Sequence, residues 1–298
     1  MIKHILVALD GTLLAESALD ETRVLAKLFG AKVTLLHVVE ANPTPIVHGQ
    51  RHLTEESEAD AYLSGISQKL TAEGIDCQHH VHSEAVTQVA GEIVAHQEEL
   101  QPDLIVMCTH GPGKFERMLR GSLAQKVIAL GQAPLLLTNP EQRMGGKPFV
   151  LRQILVALDG DPRHENGFDL ACELAAATRA QLQLLSVVTK ISSLAGRKAS
   201  LSRFLPGASW FLQNLSLHSL RNYLGRLLVH AEEQGIKVEA EVQYGKIAKT
   251  IYDRAEELDT DLIVLATHGK AGTQAFWSNS IAAQVQGLTT RSLLLIPV

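Results

Sequence analysis

Hydrophobic positions alternate along this chain between short unbroken runs and longer stretches with one apolar face. Residues 2–9 (IKHILVAL) form a short apolar run suited to a buried strand. Residues 16–30 follow with Ala18, Thr22, Leu25 and Phe29 on one helical face, and Gly30 is placed to stop the helix. The spacing then predicts a strand at 32–39, a helix over about 55–73, a strand at 76–83 and a helix at 86–100. A strand at 104–108, a helix at 122–131 and a short strand at 134–138 complete a βαβαβαβαβ order.

The pattern then starts again. Ile5-Leu6-Val7-Ala8-Leu9-Asp10-Gly11 returns letter for letter as Ile154-Leu155-Val156-Ala157-Leu158-Asp159-Gly160, at an offset of 149. Asp103-Leu104-Ile105-Val106-Met107-Cys108-Thr109-His110-Gly111 returns as Asp261-Leu262-Ile263-Val264-Leu265-Ala266-Thr267-His268-Gly269, at an offset of 158. The second copy therefore carries about nine extra residues, best placed in the poorly matched stretch 190–214. Its strands are expected near 154–158, 181–188, 237–243, 262–266 and 292–296. Strands alternating with helices pair in parallel through right-handed crossovers. The expectation is an α/β protein with two tandem doubly wound, parallel five-stranded sheets. Domain 1 spans 1–139, a Pro- and Gly-rich linker 140–150, and domain 2 151–298 with its insertion at 190–214.

Composition narrows the function classes. The 298 residues are 46% hydrophobic and only 4% aromatic, an aliphatic core suited to parallel sheets. Net charge is −5, which gives no general attraction to nucleic acid. Residues 1–145 hold 11 Lys/Arg against 18 Asp/Glu and the remainder 16 against 14, so the halves differ in sign. No membrane segment and no export signal at residues 1–11 are expected. Three sparse cysteines, Cys77, Cys108 and Cys172, fit a reducing cytoplasm.

In an open parallel sheet the ligand crevice lies beyond the carboxyl ends of the strands, where the strand order reverses. Asp10 and Asp159 end first strands; the Thr-His-Gly segments at 109–111 and 267–269 end fourth strands. The loop after His110 carries Gly111, Gly113 and Gly121, and Ser122 opens a helix as an N-cap. Such a loop can either cradle a phosphate at the helix N-terminus or simply make a tight turn. No Walker P-loop is present.

These motifs together (V-A-x-D, L-H-V, T-H-G, and G-S nine residues on) resemble the universal stress protein family, duplicated in tandem. The resemblance implies a Rossmann-like fold of the adenine nucleotide alpha hydrolase type. It also implies ATP, with Mg, as the bound group. Ala8, Leu9 and Asp10 would flank adenosine, Val38 would contact adenine through its backbone, and Met107 would line the pocket. Gly111, Gly121 and Ser122 would cradle phosphates. The second-site counterparts are Asp159, Val187, Leu265, Gly269 and Ser280. The family pattern has glycine where this chain has Cys108, Ala266 and Asn279, so the first copy keeps the pattern better than the second.

Other residues point less far. Cys77, His79 and Val81 share one strand face and His80 and His82 the other, which does not complete a four-ligand zinc site, and no metal site is expected. His110 and His268 lack a motif-placed nucleophile, Cys108 reads as a buried thiol, and Lys114, Arg117 and Arg120 read as a solvated face. Residues 201–215 hold three of the thirteen aromatics, Phe204, Trp210 and Phe211. The expected function is a cytoplasmic stress-response module that binds an adenine nucleotide rather than an enzyme with a catalytic set. The resemblance further implies an internal pseudo-dimer through the last strands, and a homodimer is a further option. The alternatives are a slow ATPase and a nucleotide-free interaction or small-ligand protein.

Overall fold

A computed structural model describes residues 1–42, 46–47, 50–108, 123–140, 149–189, 206–267 and 280–298, with side chains at 46, 47, 50, 51 and 206–216 left aside. The chain divides into two compact units, Met1–Val150 with Thr267–Val298, and Leu151–Ala266.

In the first unit, β1 (His4–Ala8) is followed by a single turn, α1 (Leu13–Glu16), and by α2 (Ala18–Phe29). The helix expected over 16–30 is α2, ended by Gly30, and the turn α1 precedes it. Thr12 caps α1 by accepting from the Ala15 amide, and the Ser17 hydroxyl donates to the Leu14 carbonyl at 2.7 Å, closing that turn before α2 begins. Next come β2 (Lys32–Glu40), the small antiparallel pair β3 (Ile46–Val47) and β4 (Gln50–Arg51), and α3 (Glu56–Ala72). Then follow β5 (Cys77–Val86), α4 (Val89–Leu100), β6 (Leu104–Cys108), α5 (Leu123–Leu130) and β7 (Leu135–Thr138). The strand expected to end at residue 83 runs on to Val86, and α4 starts three residues later than expected. Val86 pairs with Glu40 across an irregularity in the β2–β5 register, so the sheet keeps a residue that apolar periodicity assigns to the helix.

Hydrogen bonding orders these strands β5-β2-β1-β6-β7, with every neighbouring pair parallel. Central β2 is buried along VTLLHVV, as a strand covered on both faces must be, whereas edge strand β5 is half-exposed. The chain moves from β1 outward to β2 and β5, then returns to β6 on the other side of β1. Right-handed crossovers put α2 and α3 on one face and α4 and α5 on the other. The strand order reverses between β1 and β6.

In the second unit β8 (Gln153–Ala157), α6 (Asn166–Thr178), β9 (Gln181–Val188), α7 (Pro206–Glu233), β10 (Val238–Tyr244), α8 (Ile247–Glu257) and β11 (Leu262–Thr267, Thr267 itself falling in the first unit) repeat the pattern. The order β10-β9-β8-β11 is again parallel and reverses between β8 and β11. Of the stretch 190–214, residues 190–205 lie outside the described residues, and α7 begins at Pro206.

The last segment, α9 (Ile281–Gln286) and β12 (Ser292–Pro297), belongs to the first compact unit. There β12 runs antiparallel to β7, pairing Leu293, Leu294 and Leu295 with Leu137, Leu136 and Leu135. Leu136 and Leu294 stand opposite one another and differ by 158, the offset of the second repeated motif. Each copy also fastens its first strand identically. The Asp103 carboxylate accepts from the Lys3 and His4 amides at 2.7 and 2.9 Å, and Asp261 does the same for Arg152 and Gln153. The first residue of the repeated D-L-I-V motif therefore has a structural use, satisfying donors where the strand enters the sheet.

Candidate nucleotide crevice

The candidate site in the first unit lies where β1, β2 and β6 end. Ala8 closes β1 opposite Leu36 of β2, and Val7 pairs with Val106, so Met107 and Cys108 emerge beside the end of β1. Leu9 continues the ladder by donating its amide to the Leu36 carbonyl at 2.9 Å, and its own carbonyl accepts from His37 Nδ1 at 2.8 Å. The His of the L-H-V motif therefore ties β2 to the end of β1. Burial holds its imidazole below the ordinary value, so it is a neutral strut.

Asp10 comes next. Its Oδ1 accepts from the Thr12 amide at 2.9 Å and the Thr12 hydroxyl at 2.7 Å, an Asx-type turn that fixes the carboxylate at the strand end. Between them Gly11 has φ +89, where side chains are strained, and a Cβ there would lie 2.4 Å from Leu53 Cγ. Tyr62 of α3 donates its hydroxyl to Glu16 Oε1 at 3.2 Å; burial and that carboxylate push the phenol well above its usual range.

The second copy rebuilds this arrangement with altered parts. Leu158 donates to the Leu185 carbonyl, and Ser186, standing where the first copy has His37, donates its hydroxyl to the Leu158 carbonyl at 2.8 Å. Asp159 Oδ1 accepts from the Asp161 amide at 2.9 Å, while His164 Nδ1 meets Asp159 Oδ2 at 2.8 Å. Gly160 has φ +88 under Leu220, and Tyr223 faces Glu165, with burial and the Glu165 and Asp159 carboxylates pushing its hydroxyl up. The imidazole of His164 thus occupies one carboxylate oxygen of Asp159.

Of the residues expected from sequence, Ala8, Leu9, Asp10, Val38 and Met107 come together at neighbouring strand ends of the first unit, with Leu9, Val38 and Met107 buried. Asp159, Val187 and Leu265 stand at corresponding positions of the second unit. Gly111, Gly121, Ser122 and Gly269 lie outside the described residues, as do His110, His268, Lys114, Arg117 and Arg120. Ser280 belongs to the first compact unit, where its hydroxyl accepts from the Ala283 amide at 3.2 Å and caps α9. Sequence reasoning missed the Tyr–Glu pairs and His164. Glu16 and Glu165 are separated by 149, the offset of the first repeated motif, which is the signal that could have found them.

Cys108 offers no nucleophile. Its sulfur lies 3.2 Å from the Ser17 hydroxyl oxygen, and burial pushes its thiol up to about 11. Burial likewise pushes the Cys172 thiol up to about 12, whereas half-exposed Cys77 is raised by burial but lies at the sheet edge. Thiolate is the reacting species, so alkylation of the native protein at pH 8 is expected at Cys77 first, more slowly at Cys108, whose thiol is pushed up, and at buried Cys172 only on unfolding. Peptide mass spectrometry after brief treatment checks this; label at Cys108 as early as at Cys77 would contradict the raised Cys108 thiol. Among the described residues, no group of three His, Cys, Asp or Glu side chains is arranged to hold a metal ion, and no helix is long and apolar enough to cross a membrane.

Comparison with known proteins agrees with the repeat. The universal stress protein family matches twice, over residues 1–139 and 151–297. The universal stress protein YxiE of Bacillus subtilis is 29% identical over 148 residues, 47% of this chain and 100% of that relative. The universal stress protein MJ0531 of Methanocaldococcus jannaschii is 29% identical over 149 residues, 48% of this chain and 85% of its own length. Among solved structures, a universal stress protein from Archaeoglobus fulgidus shares the fold at a TM-score of 0.68 and 18% identity, covering 99% of this chain and 96% of its own. A putative universal stress protein from Pseudomonas aeruginosa gives 0.69 and 18%, covering 99% and 93%. With both halves matched and the strand order repeated, the chain belongs to the universal stress protein family and carries its domain twice.

Proposed function

We propose that this chain is a cytoplasmic stress-response module that binds an adenine nucleotide, ATP with Mg, in the crevice of its first unit. The observation that carries the reading is the position of Asp10 and Met107, on the two strands between which the order reverses, where open α/β sheets receive ligands. The described residues suit such a group. Asp10 holds a carboxylate ready to accept hydroxyl donors of a ribose, Val38 presents strand backbone, and buried Met107 supplies an apolar wall. Gly111, Gly121 and Ser122 are assigned to the phosphates. The second unit is the weaker site because His164 already engages Asp159. The role is binding, with at most slow hydrolysis, and the two units act as an internal pseudo-dimer; a homodimer is a further option.

Mass spectrometry of the small molecules released by heat-denaturing the purified chain tests this. Stoichiometric ATP is the expected result. ADP, with phosphate release on adding ATP and Mg²⁺, would instead point to turnover. An empty protein with no thermal shift on adding ATP would leave the nucleotide-free reading.

A further inference from the structure

Away from the crevice, the edge strand and the helix after it bring three imidazoles into contact. Alternate residues of β5 share a face, and His79 turns toward α3, where its Nε2 lies 3.1 Å from Asp60 Oδ1. His80 and His82 turn the other way, toward α4. His96 of α4, a buried residue, stands edge-on to both, with ring centroids 4.7 Å from His80 and 5.3 Å from His82. His96 Nε2 lies 3.2 Å from His82 Nδ1. Two carboxylates of α4 attend the group: Glu99 Oε2 is 3.3 Å from His96 Nδ1 and Glu92 Oε2 is 3.7 Å from His82 Nε2.

A nitrogen-to-nitrogen hydrogen bond between two imidazoles needs one N–H and one lone pair. With both rings protonated, two donors would face each other at that distance and two cations would touch. Two carboxylates, one of them largely solvent-exposed, cannot neutralise three imidazolium rings. We propose that His80, His82 and His96 form a proton-operated latch, which holds α4 on the edge strand while the rings are neutral and loosens it when acid protonates them.

The other groups near α4 do not supply the missing compensation. Among the described residues, no ion pair joins the three rings to Lys126 of α5 or to Lys32 and Glu40 of β2, the other elements packed on this helix. At the far end, His4 of β1 meets the Leu100 carbonyl through Nδ1 at 3.2 Å, and Gln97 accepts from the Gln132 amide, so the C-terminal turn has its own fastening. Partial desolvation, with His96 next in weight, keeps the largely exposed His80 imidazole below its ordinary value. The unfolded chain therefore takes up this proton more readily than the folded one. The stability this group contributes is complete above about pH 6.5 and is lost as pH falls through the folded value. The latch does not depend on the nucleotide reading, although α4 leads directly into β6 and so to Met107.

Hydrogen exchange of the full chain at pH 7.5 and 5.5, corrected for the intrinsic rate, tests it. Amides of α4 are expected to lose about tenfold more protection than those of α8. An equal change in both helices would overturn the latch. His96→Gln should remove the difference if the variant folds. Should it not fold, histidine NMR titration of the unaltered protein decides: transitions coupled among the three rings are expected, and three independent titrations would refute the proposal.

Discussion

Replacing Asp10 by alanine is expected to weaken ATP binding about 10- to 100-fold, the range spanned by losing hydrogen bonds to a charged acceptor. The carboxylate is held by the Thr12 amide and hydroxyl and stands at the reversal of strand order, so its removal takes away both the acceptor and the turn that presents it. Asp159→Ala, made in the same chain, is expected to change ATP binding by less than about threefold, because the second site already spends an oxygen of that carboxylate on His164. The contrast separates a ligand contact from general loosening, since both substitutions remove an aspartate from the same kind of turn. If the two variants lose affinity equally, the inequality of the sites is wrong.

Phe168→Ala is expected to destabilise the second unit by about 3–5 kcal/mol, the cost of deleting a large side chain whose neighbours cannot collapse into its place. Phe168 on α6 is 1% exposed and is the largest fully buried side chain of the described core. A core this poor in aromatics has few other rings to fill the gap. Urea unfolding should show a lower midpoint for the transition that exposes the second unit, with its slope unchanged. A loss below about 1 kcal/mol would mean that the neighbouring aliphatic side chains repack into the cavity.

Much of the architecture is legible in the letters because it rests on buried apolar runs. HILVA, QILVA and LIVMC are strands with a neighbour on each side, LIVLA repeats the run, all four are buried through their middle residues, and the repeat doubles the signal. Legibility fails where local polar bonds decide. Thr12 and Ser17 cap and close the turn α1 ahead of the first long helix through side-chain bonds that an apolar count does not register. Val86 stays in the sheet because it finds Glu40 across a register shift, a contact set by tertiary pairing. The site shows the same division. Asp10 and Asp159 stand out at the ends of identical runs, but Tyr62 and Tyr223 reach Glu16 and Glu165 from α3 and α7, helices whose spacing differs between the copies. His96 is likewise invisible from β5, since only the fold lays its helix against His80 and His82.

Calorimetric titration of ATP and Mg²⁺ into the full chain, beside Asp10→Ala and Asp159→Ala, addresses the first crevice most directly. The account predicts saturable binding dominated by one site per chain, retained in Asp159→Ala and weakened about 10- to 100-fold in Asp10→Ala. Binding that survives unchanged in Asp10→Ala, or no binding by a protein that also carries no nucleotide after purification, would contradict it.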